Sequence, residues 1–237
     1  MSFLKSFFGT SIVSAKNEKK PVRALPASWY TSQEMYELER RSIFSRRWLL
    51  TTHKHRVPNG GDWVRYDVAG YEFIILRNQQ GSIDAFHNGD LFPIHVHIDR
   101  NGFIWINLDA AQTPEVAWKD DFDGVDEQPR FAHYSFEDYV FDHTWDMEGA
   151  FNWKILADNY NECYHCQVAH PDIPTIADLN SYYVEIKDGH IQHYGAQRQD
   201  QIDKGFRIAT TYFWPNASCN ISLVSPSIYL KSLLMFL

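Results

Sequence analysis

Residues 152–171 read NWKILADNYNECYHCQVAHP and hold acidic, amide, cysteine and histidine side chains at a density found nowhere else in the chain. Apolar and aromatic side chains recur here at spacings of three and four, as on one face of an amphipathic helix: Trp153, Leu156, Tyr160 and Tyr164. Asp146 is a candidate N-cap, and Pro171 ends the helix because its ring cannot continue the backbone hydrogen bonding. We expect any chemistry of this protein to lie on this segment.

Two histidines, His165 and His170, stand near the end of the predicted helix, five residues apart. On a regular helix, residues three or four apart share a face, so a π-type bulge or a loosened last turn is needed to bring both imidazoles together. In one interpretation, these histidines and the neighbouring cysteines are simply packed polar residues at a helix end.

Two further interpretations give the segment a chemical role. Cys163 and Cys166 form a C-x-x-C pair, which serves zinc binding or dithiol redox chemistry in other proteins. A structural zinc site usually needs four ligands, and only Cys219 is left elsewhere. Alternatively, His165 and His170 belong to a site of two histidines and one carboxylate, which suits non-haem Fe(II) and requires a distant Asp or Glu.

The segment from Asp158 to Pro171 resembles the mononuclear-iron motif N-x-x-E-x-Y-H-x-x-x-x-H-P of Rieske non-haem iron oxygenases, in the branch that includes choline monooxygenase. Other segments between residues 25 and 222 resemble the same family in the same order: Trp29–Trp48, Gly60–Asp62, Ala85–Asn88 and Leu91–Asp109. The resemblance implies an α+β fold, in which the remnant of a β-rich Rieske-type domain precedes a partial helix-grip catalytic domain.

The resemblance also assigns roles to individual residues. His165 and His170 match the family's ligands for mononuclear Fe(II), and Glu162 matches the acidic residue that bridges toward the electron-donating cluster of a neighbouring subunit. Asp158 and Asn159 match positions outside the ligand set, where a hydrogen bond fixes the tautomer and orientation of an imidazole.

This sequence departs from the family at two places. A Rieske 2Fe-2S centre needs two cysteines and two histidines, which the family supplies as C-x-H and C-x-x-H. The first cysteine here is Cys163, and the sequence continues from Asn88 directly to Gly89, so the ligands of the 2Fe-2S cluster are absent. The family's third iron ligand is a downstream Asp, whereas the resemblance stops after about Ser222. We expect a truncated or mis-spliced form of such an oxygenase.

The functional expectation is an iron-dependent oxygenase that inserts oxygen into a small organic substrate, such as a choline-like amine, with impaired turnover in this form. The family implies dioxygen, an electron-donating reductase and a homo-oligomer, a trimer, as partners. The alternative is a non-catalytic remnant that binds a ligand or associates with a full-length relative.

Composition, net charge and cysteine content limit the class of protein, its partners and its compartment. The 237 residues are 44% hydrophobic, which is ample for a globular core, and the formal net charge of −8 argues against a nucleic-acid partner. The three cysteines indicate a reducing compartment, so we expect a cytoplasmic protein, although residues 1–20 leave an organelle signal open. No run approaches the roughly 20 apolar residues of a membrane span, so we expect no membrane partner.

The remaining segments predict the domain organisation. We expect a flexible tail over residues 1–24, a β domain without its cluster lobe over 25–110, an acidic linker over 111–130 and a partial catalytic domain over 131–237. The dipeptides Ala69-Gly70, Asn101-Gly102 and Asp188-Gly189 predict hairpin turns, and alternation from Ser135 to Met147 predicts a strand.

Two charged or metal-capable groups outside the main segment have structural explanations. Thr31-x-x-Glu34 is a capping box that predicts a helix, and its arginines and glutamates, including Glu37, Glu39, Arg40 and Arg41, are expected to form a solvated, salt-bridged face. His95 and His97 alternate along a strand, and we expect them to be surface or interface residues.

Overall fold

The computed structural model describes residues 24–89, 92–224 and 227–235, with side chains described up to Ser222. Apart from Ala24, the predicted flexible tail lies outside the described residues. The chain forms two antiparallel sheets and a few short helices, so the predicted α+β class is confirmed. No helix within the described ranges is long and apolar enough to cross a bilayer.

Alternating residues of the first half form a six-stranded antiparallel sheet. Its spatial order is β1-β6-β5-β4-β3-β2, and the strands are β1 (Leu49–His53), β2 (Trp63–Val68), β3 (Tyr71–Arg77), β4 (Ile83–His87), β5 (Pro93–Ile98) and β6 (Phe103–Asn107). The predicted hairpin turns at Ala69-Gly70 and Asn101-Gly102 are confirmed, because they join β2 to β3 and β5 to β6. Gly102 has a φ of +88°, which glycine adopts without the strain that a side chain adds.

The second half forms a five-stranded antiparallel meander. Its order is β11-β10-β9-β8-β7, with β7 (Ala177–Lys187), β8 (His190–Gln197), β9 (Arg207–Phe213), β10 (Ala217–Val224) and β11 (Ser227–Met235). The turn predicted at Asp188-Gly189 joins β7 to β8, as expected.

Seven short α-helices complete the part of the chain that the structure describes. They are α1 (Ser28–Thr31), α2 (Gln33–Glu39), α3 (Trp118–Phe122), α4 (Trp153–Asn161), α5 (Cys166–Ala169), α6 (Ile173–Ile176) and α7 (Gln199–Asp203). The helix that the capping box predicted is present, but its cap is Ser32 and not Thr31, because the Ser32 Oγ accepts from the Met35 amide at 3.1 Å. A π-helical turn, Arg40–Phe44, continues α2.

The main core cluster joins the two sheets. Trp48 and Trp105 of the first half pack in one buried cluster with Phe213 and Ile221 of the second. The predicted linker carries α3, whose Trp118 and Phe122 are buried in this cluster. The division of the chain into domains stays a prediction.

The predicted strand from Ser135 to Met147 is wrong. Phe136 and Tyr139 are buried, but the chain beyond them is irregular and exposed, and Trp145 is 81% exposed. Alternation describes a strand only when a neighbouring strand pairs with it, and within the described residues none pairs with this stretch.

Candidate metal centre

Helix α4 carries the motif and is held at its start by a buried ion pair. Lys154 Nζ lies 2.6 and 2.8 Å from the two carboxylate oxygens of Glu39, which ends α2. The indole Nε1 of Trp153 also donates to this carboxylate, at 2.9 Å. Both ionic side chains are buried, so the pair fixes α4 against α2 away from water.

The inner face of α4 packs on the second sheet. Ala157 and Tyr160 pack with Tyr212 of β9 and Ile191 of β8. The Tyr160 hydroxyl donates to Asn220 Oδ1 of β10 at 2.9 Å, and burial raises the pKa of this phenol. The predicted amphipathic face is therefore confirmed as far as Tyr160.

A polar chain fixes the last residue of α4. The Asn161 amide Nδ2 donates to the Ala157 carbonyl, so its Oδ1 is an acceptor for His193 Nε2 of β8 at 3.1 Å. The other ring nitrogen, His193 Nδ1, lies 2.8 Å from the Tyr182 hydroxyl of β7. Burial, with a smaller contribution from Arg130, lowers the pKa of His193 to about 4, so the ring is neutral at pH 7.

The motif itself lies where the helix breaks. Helix α4 ends at Asn161, residues 162–165 form a turn, and α5 occupies the single turn between His165 and His170. The two imidazole centroids are 5.2 Å apart, at an interplanar angle of 72°. The predicted approach of the two rings is confirmed, although a break in the helix achieves it. Tyr164, predicted on the helix face, lies outside the helix and is 94% exposed.

Glu162 orients the first imidazole. Its Oε1 is hydrogen-bonded to His165 Nδ1, and its other oxygen accepts from the Tyr164 amide. The bond from His165, followed by smaller backbone contributions, holds the pKa of Glu162 below its ordinary value, so the carboxylate is the acceptor and Nδ1 is the donor. This tautomer leaves the lone pair of His165 on Nε2, the state that a metal ligand needs.

The other two predicted residues are exposed on α4. Asp158 Oδ2 accepts from the Tyr30 hydroxyl at 2.7 Å, which ties α4 to α1. Among the described residues, no hydrogen bond joins Asp158 or Asn159 to His165 or His170. The structure thus brings Glu162, His165 and His170 together, and places Asp158 and Asn159 on the helix that precedes them.

The C-x-x-C pair is a disulfide, between Cys163 and Cys166. The third cysteine, Cys219, is a buried thiol on β10. This pairing differs from the expectation of free thiols that the cysteine count suggested.

The donor set fits an iron ion only in part. His165 and His170 offer two adjacent imidazoles, but no group of three or more His, Cys, Asp or Glu in the described part of the chain is arranged to hold a metal. A Rieske cluster does not fit, because two of the three cysteines are bonded to each other and Cys219 is 1% exposed within the core. The strand histidines have other contacts: His95 Nε2 lies 2.9 Å from the Ala111 carbonyl, and His97 stacks on Trp118.

The residues that support the motif were not visible as a motif in the sequence. Glu39, Tyr182 and His193 lie on other elements and reach α4 only through the tertiary fold. The one available signal was a polar residue on the same strand face as an apolar one, as at His193, which shares a face of β8 with Ile191.

Comparison with known proteins places these observations in a family. The family model described as "Ring hydroxylating alpha subunit (catalytic domain)" matches residues 136–218. The carnitine monooxygenase oxygenase subunit of Escherichia coli (strain K12) is 20% identical over 84% of this chain and 67% of its own length. The glycine betaine monooxygenase oxygenase subunit of Chromohalobacter salexigens is 24% identical over 63% of this chain and 44% of its own length.

Solved structures show the same fold. The crystal structure of the quaternary ammonium Rieske monooxygenase CntA with inhibitor MMV12 superposes with a TM-score of 0.73 at 20% identity, over 89% of this chain and 73% of that chain. Its complex with L-carnitine gives a TM-score of 0.69. This chain therefore spans about two thirds of the carnitine monooxygenase subunit and less than half of the glycine betaine monooxygenase subunit. The catalytic-domain match, the oxygenase relatives and the shared fold all agree with the resemblance of this chain to Rieske-type oxygenases.

Proposed function

We propose that His165 and His170 are two ligands of a mononuclear Fe(II) centre in an oxygenase that acts on a small organic amine. The observation that carries this proposal is the adjacent pair of imidazoles, one of them held by Glu162 in the tautomer that leaves Nε2 free. The relatives named for carnitine and glycine betaine support a quaternary ammonium substrate.

Each residue has a defined part in this proposal. His165 and His170 hold the metal, and Glu162 orients His165; its partly exposed carboxylate would also be the point at which an electron carrier of a neighbouring subunit approaches. Asp158 and Asn159 lie one helical turn before Glu162, where Asp158 steadies α4 through Tyr30. The iron, when bound, would supply the activation of dioxygen that protein side chains do not provide.

Turnover in this chain is proposed to be impaired. The chain offers no cysteine pair for a 2Fe-2S cluster, so electrons from a reductase have no resident carrier in it. We propose a cytoplasmic oligomer: a mixed oligomer with a cluster-containing relative would place a carrier next to Glu162, whereas a homo-oligomer of this chain would bring none.

The second candidate is a folded, non-catalytic relative of the oxygenases. Strands β4 and β5 pair directly, and the Phe92 carbonyl accepts from the His87 amide at 2.9 Å. The Asn88 side chain also donates to Glu72 at 2.7 Å. The first sheet thus closes without the cluster lobe, which favours a product that folds and binds a ligand or a relative without Rieske chemistry.

Metal binding tests the first proposal directly. The purified full chain is incubated with Fe(II) without oxygen, desalted and analysed for bound iron, alongside the variants H165A, H170A and H143A. We expect about one iron per chain, lost in H165A and H170A because each variant keeps only one of the two imidazoles that would hold the ion. His143 is exposed, so H143A should bind like the parent protein.

The metal identity separates the alternatives. Iron retained equally by all four proteins would overturn the assignment of His165 and His170. Stoichiometric zinc, retained in C163S and lost in H170A, would contradict an iron site. Iron binding without oxygenation of carnitine or betaine, even with a cluster-containing relative and a reductase present, would favour the non-catalytic candidate.

A further inference from the structure

The disulfide between Cys163 and Cys166 encloses the first proposed metal ligand. Only Tyr164 and His165 lie between the two cysteines, and Tyr164 is 94% exposed, so it does not hold the turn by packing. Apart from the disulfide, the turn is held by a backbone hydrogen bond from the Cys166 amide to the Cys163 carbonyl, at 3.1 Å, and by Glu162.

The same disulfide is connected to the second histidine. The His170 amide donates to the Cys166 carbonyl at 3.2 Å, and the Ala169 amide donates to the His165 carbonyl at 2.8 Å. Cys166 is also the buried end of the turn, at 5% exposed, whereas Cys163 is partly exposed. The bridge therefore links the partly exposed end of the turn that contains His165 to the buried Cys166, whose carbonyl accepts from the His170 amide.

We propose that Cys163 and Cys166 form a reversible redox site that controls metal binding by His165 and His170. The closed disulfide holds the two imidazoles in their paired arrangement, and its reduction loosens the turn and weakens metal binding. This inference rests on the proposed metal site and adds to it a control by the thiol–disulfide state.

The reaction is a thiol–disulfide exchange with a dithiol reductant. A thiolate of the dithiol attacks the Cys163 sulfur, which is the more accessible of the two, and the Cys166 thiolate leaves. The second thiol of the reductant then displaces Cys163. Two electrons and two protons pass to the protein, which gains two thiols, and the dithiol leaves as its own disulfide.

A count of thiols tests the redox site itself. The chain has three cysteines, so alkylation in denaturant should add one group to the oxidised protein, at Cys219, and three groups after dithiol treatment. Three alkylated groups without any reductant, in protein prepared under air with a mild disulfide oxidant, would overturn the proposal.

A metal titration tests whether the thiol–disulfide state changes the affinity for metal. Oxidised protein and protein reduced with dithiothreitol, desalted without oxygen, are titrated with Co(II), which absorbs strongly in the near ultraviolet when a thiolate binds it. We expect the oxidised form to bind without that absorption and the reduced form to bind at least about tenfold more weakly, as for other losses of ligand-orienting groups. The double variant C163S/C166S should bind like the reduced protein under both treatments.

The outcomes separate this inference from the proposed function. If both redox forms bind Co(II) with equal affinity and H165A still loses binding, the proposed redox regulation is wrong and the proposed metal site is retained. No binding by either form would overturn the metal site. Tighter binding after reduction, with thiolate absorption, would show a cysteine site of the zinc type and overturn the proposed direction of control. Circular dichroism of each form shows that the comparison is between folded proteins.

Discussion

Glu39 shows how far a single residue can depart from its sequence pattern. Its neighbour Glu37 lies where the charge pattern predicted, at 3.0 Å from Arg40 and 3.6 Å from Arg41 on the exposed side of the helix. Glu39 was expected on the same solvated face, and that prediction is wrong. It is 5% exposed and pairs with Lys154, 115 residues away, a partner that no local pattern reveals.

Removal of one partner of this pair should be costly. We expect K154M to lower the free energy of unfolding by about 3–5 kcal/mol, because Glu39 keeps its charge away from water without a cationic partner. Urea unfolding followed by fluorescence measures the change. The matched control is R198M, which breaks the exposed pair of Arg198 with Asp200 and should cost less than about 1 kcal/mol. Similar losses in both variants would contradict a special role of the buried pair.

At the scale of elements, the start of α4 tests which residue begins the helix. The sequence offered Asp146 as the cap, whereas in the structure the Asn152 side chain accepts from the Lys154 amide at 3.0 Å and the helix begins at Trp153. Asp146 lies in the exposed irregular stretch before it. The amphipathic pattern could not distinguish these caps, because Asp and Asn are both favoured capping residues and both precede the apolar face.

We therefore expect N152A to destabilise the protein by about 1 kcal/mol, the usual cost of removing a side-chain cap. D146A, the control at the other candidate position, should change the free energy of unfolding by less than about 0.5 kcal/mol. Thermal and urea unfolding of both variants would measure the difference. If D146A lowered the free energy of unfolding more than N152A, Asp146 would be the helix cap, as the sequence suggested.

The elements that the sequence predicted best are those defined by local chemistry. Hairpins at Asn101-Gly102 and Asp188-Gly189 follow from turn residues that the backbone conformation requires, and both were correct. The helix that bears the motif was predicted too long, because Tyr164 continues the apolar spacing past the break at Glu162. Spacing reports which residues share a face, and it does not report where the backbone hydrogen bonds stop.

At the scale of the whole molecule, contacts between distant segments decide what local patterns leave open. The core joins Trp105 of the first half directly to Phe213 of the second, and Trp118 and Phe122 pack in the same cluster. No periodicity in the sequence predicts this contact. The candidate site is similar. Its two histidines were predictable from their motif, whereas the chain from Asn161 through His193 to Tyr182 depends on three elements.

The stability of the whole molecule should fall in mild acid because of buried histidines. Burial lowers the pKa of His53, His190 and His193 from 6.5 to about 4. In the unfolded chain these rings take up protons near pH 6.5, whereas in the folded protein they do so only near pH 4. Stability is therefore retained above about pH 6.5 and lost as the pH falls toward 4. Burial raises the pKa of Asp99 to about 6, which opposes part of this loss.

A single substitution isolates one of these contributions. Between about pH 6 and 4.5 the unfolded chain holds nearly one more proton at His193 than the folded protein, which corresponds to about 1.1 kcal/mol per pH unit. H193Q keeps an amide that can bond Asn161 and Tyr182 but cannot be protonated. Its plot of unfolding free energy against pH should be shallower than that of the parent protein by about this amount, and H143Q, which replaces an exposed histidine, is the matched control. The comparison uses slopes, so a loss of stability in H193Q that is the same at every pH does not affect the result. Equal slopes in all three proteins would contradict the prediction, because His193 would then titrate alike in the folded and unfolded chain.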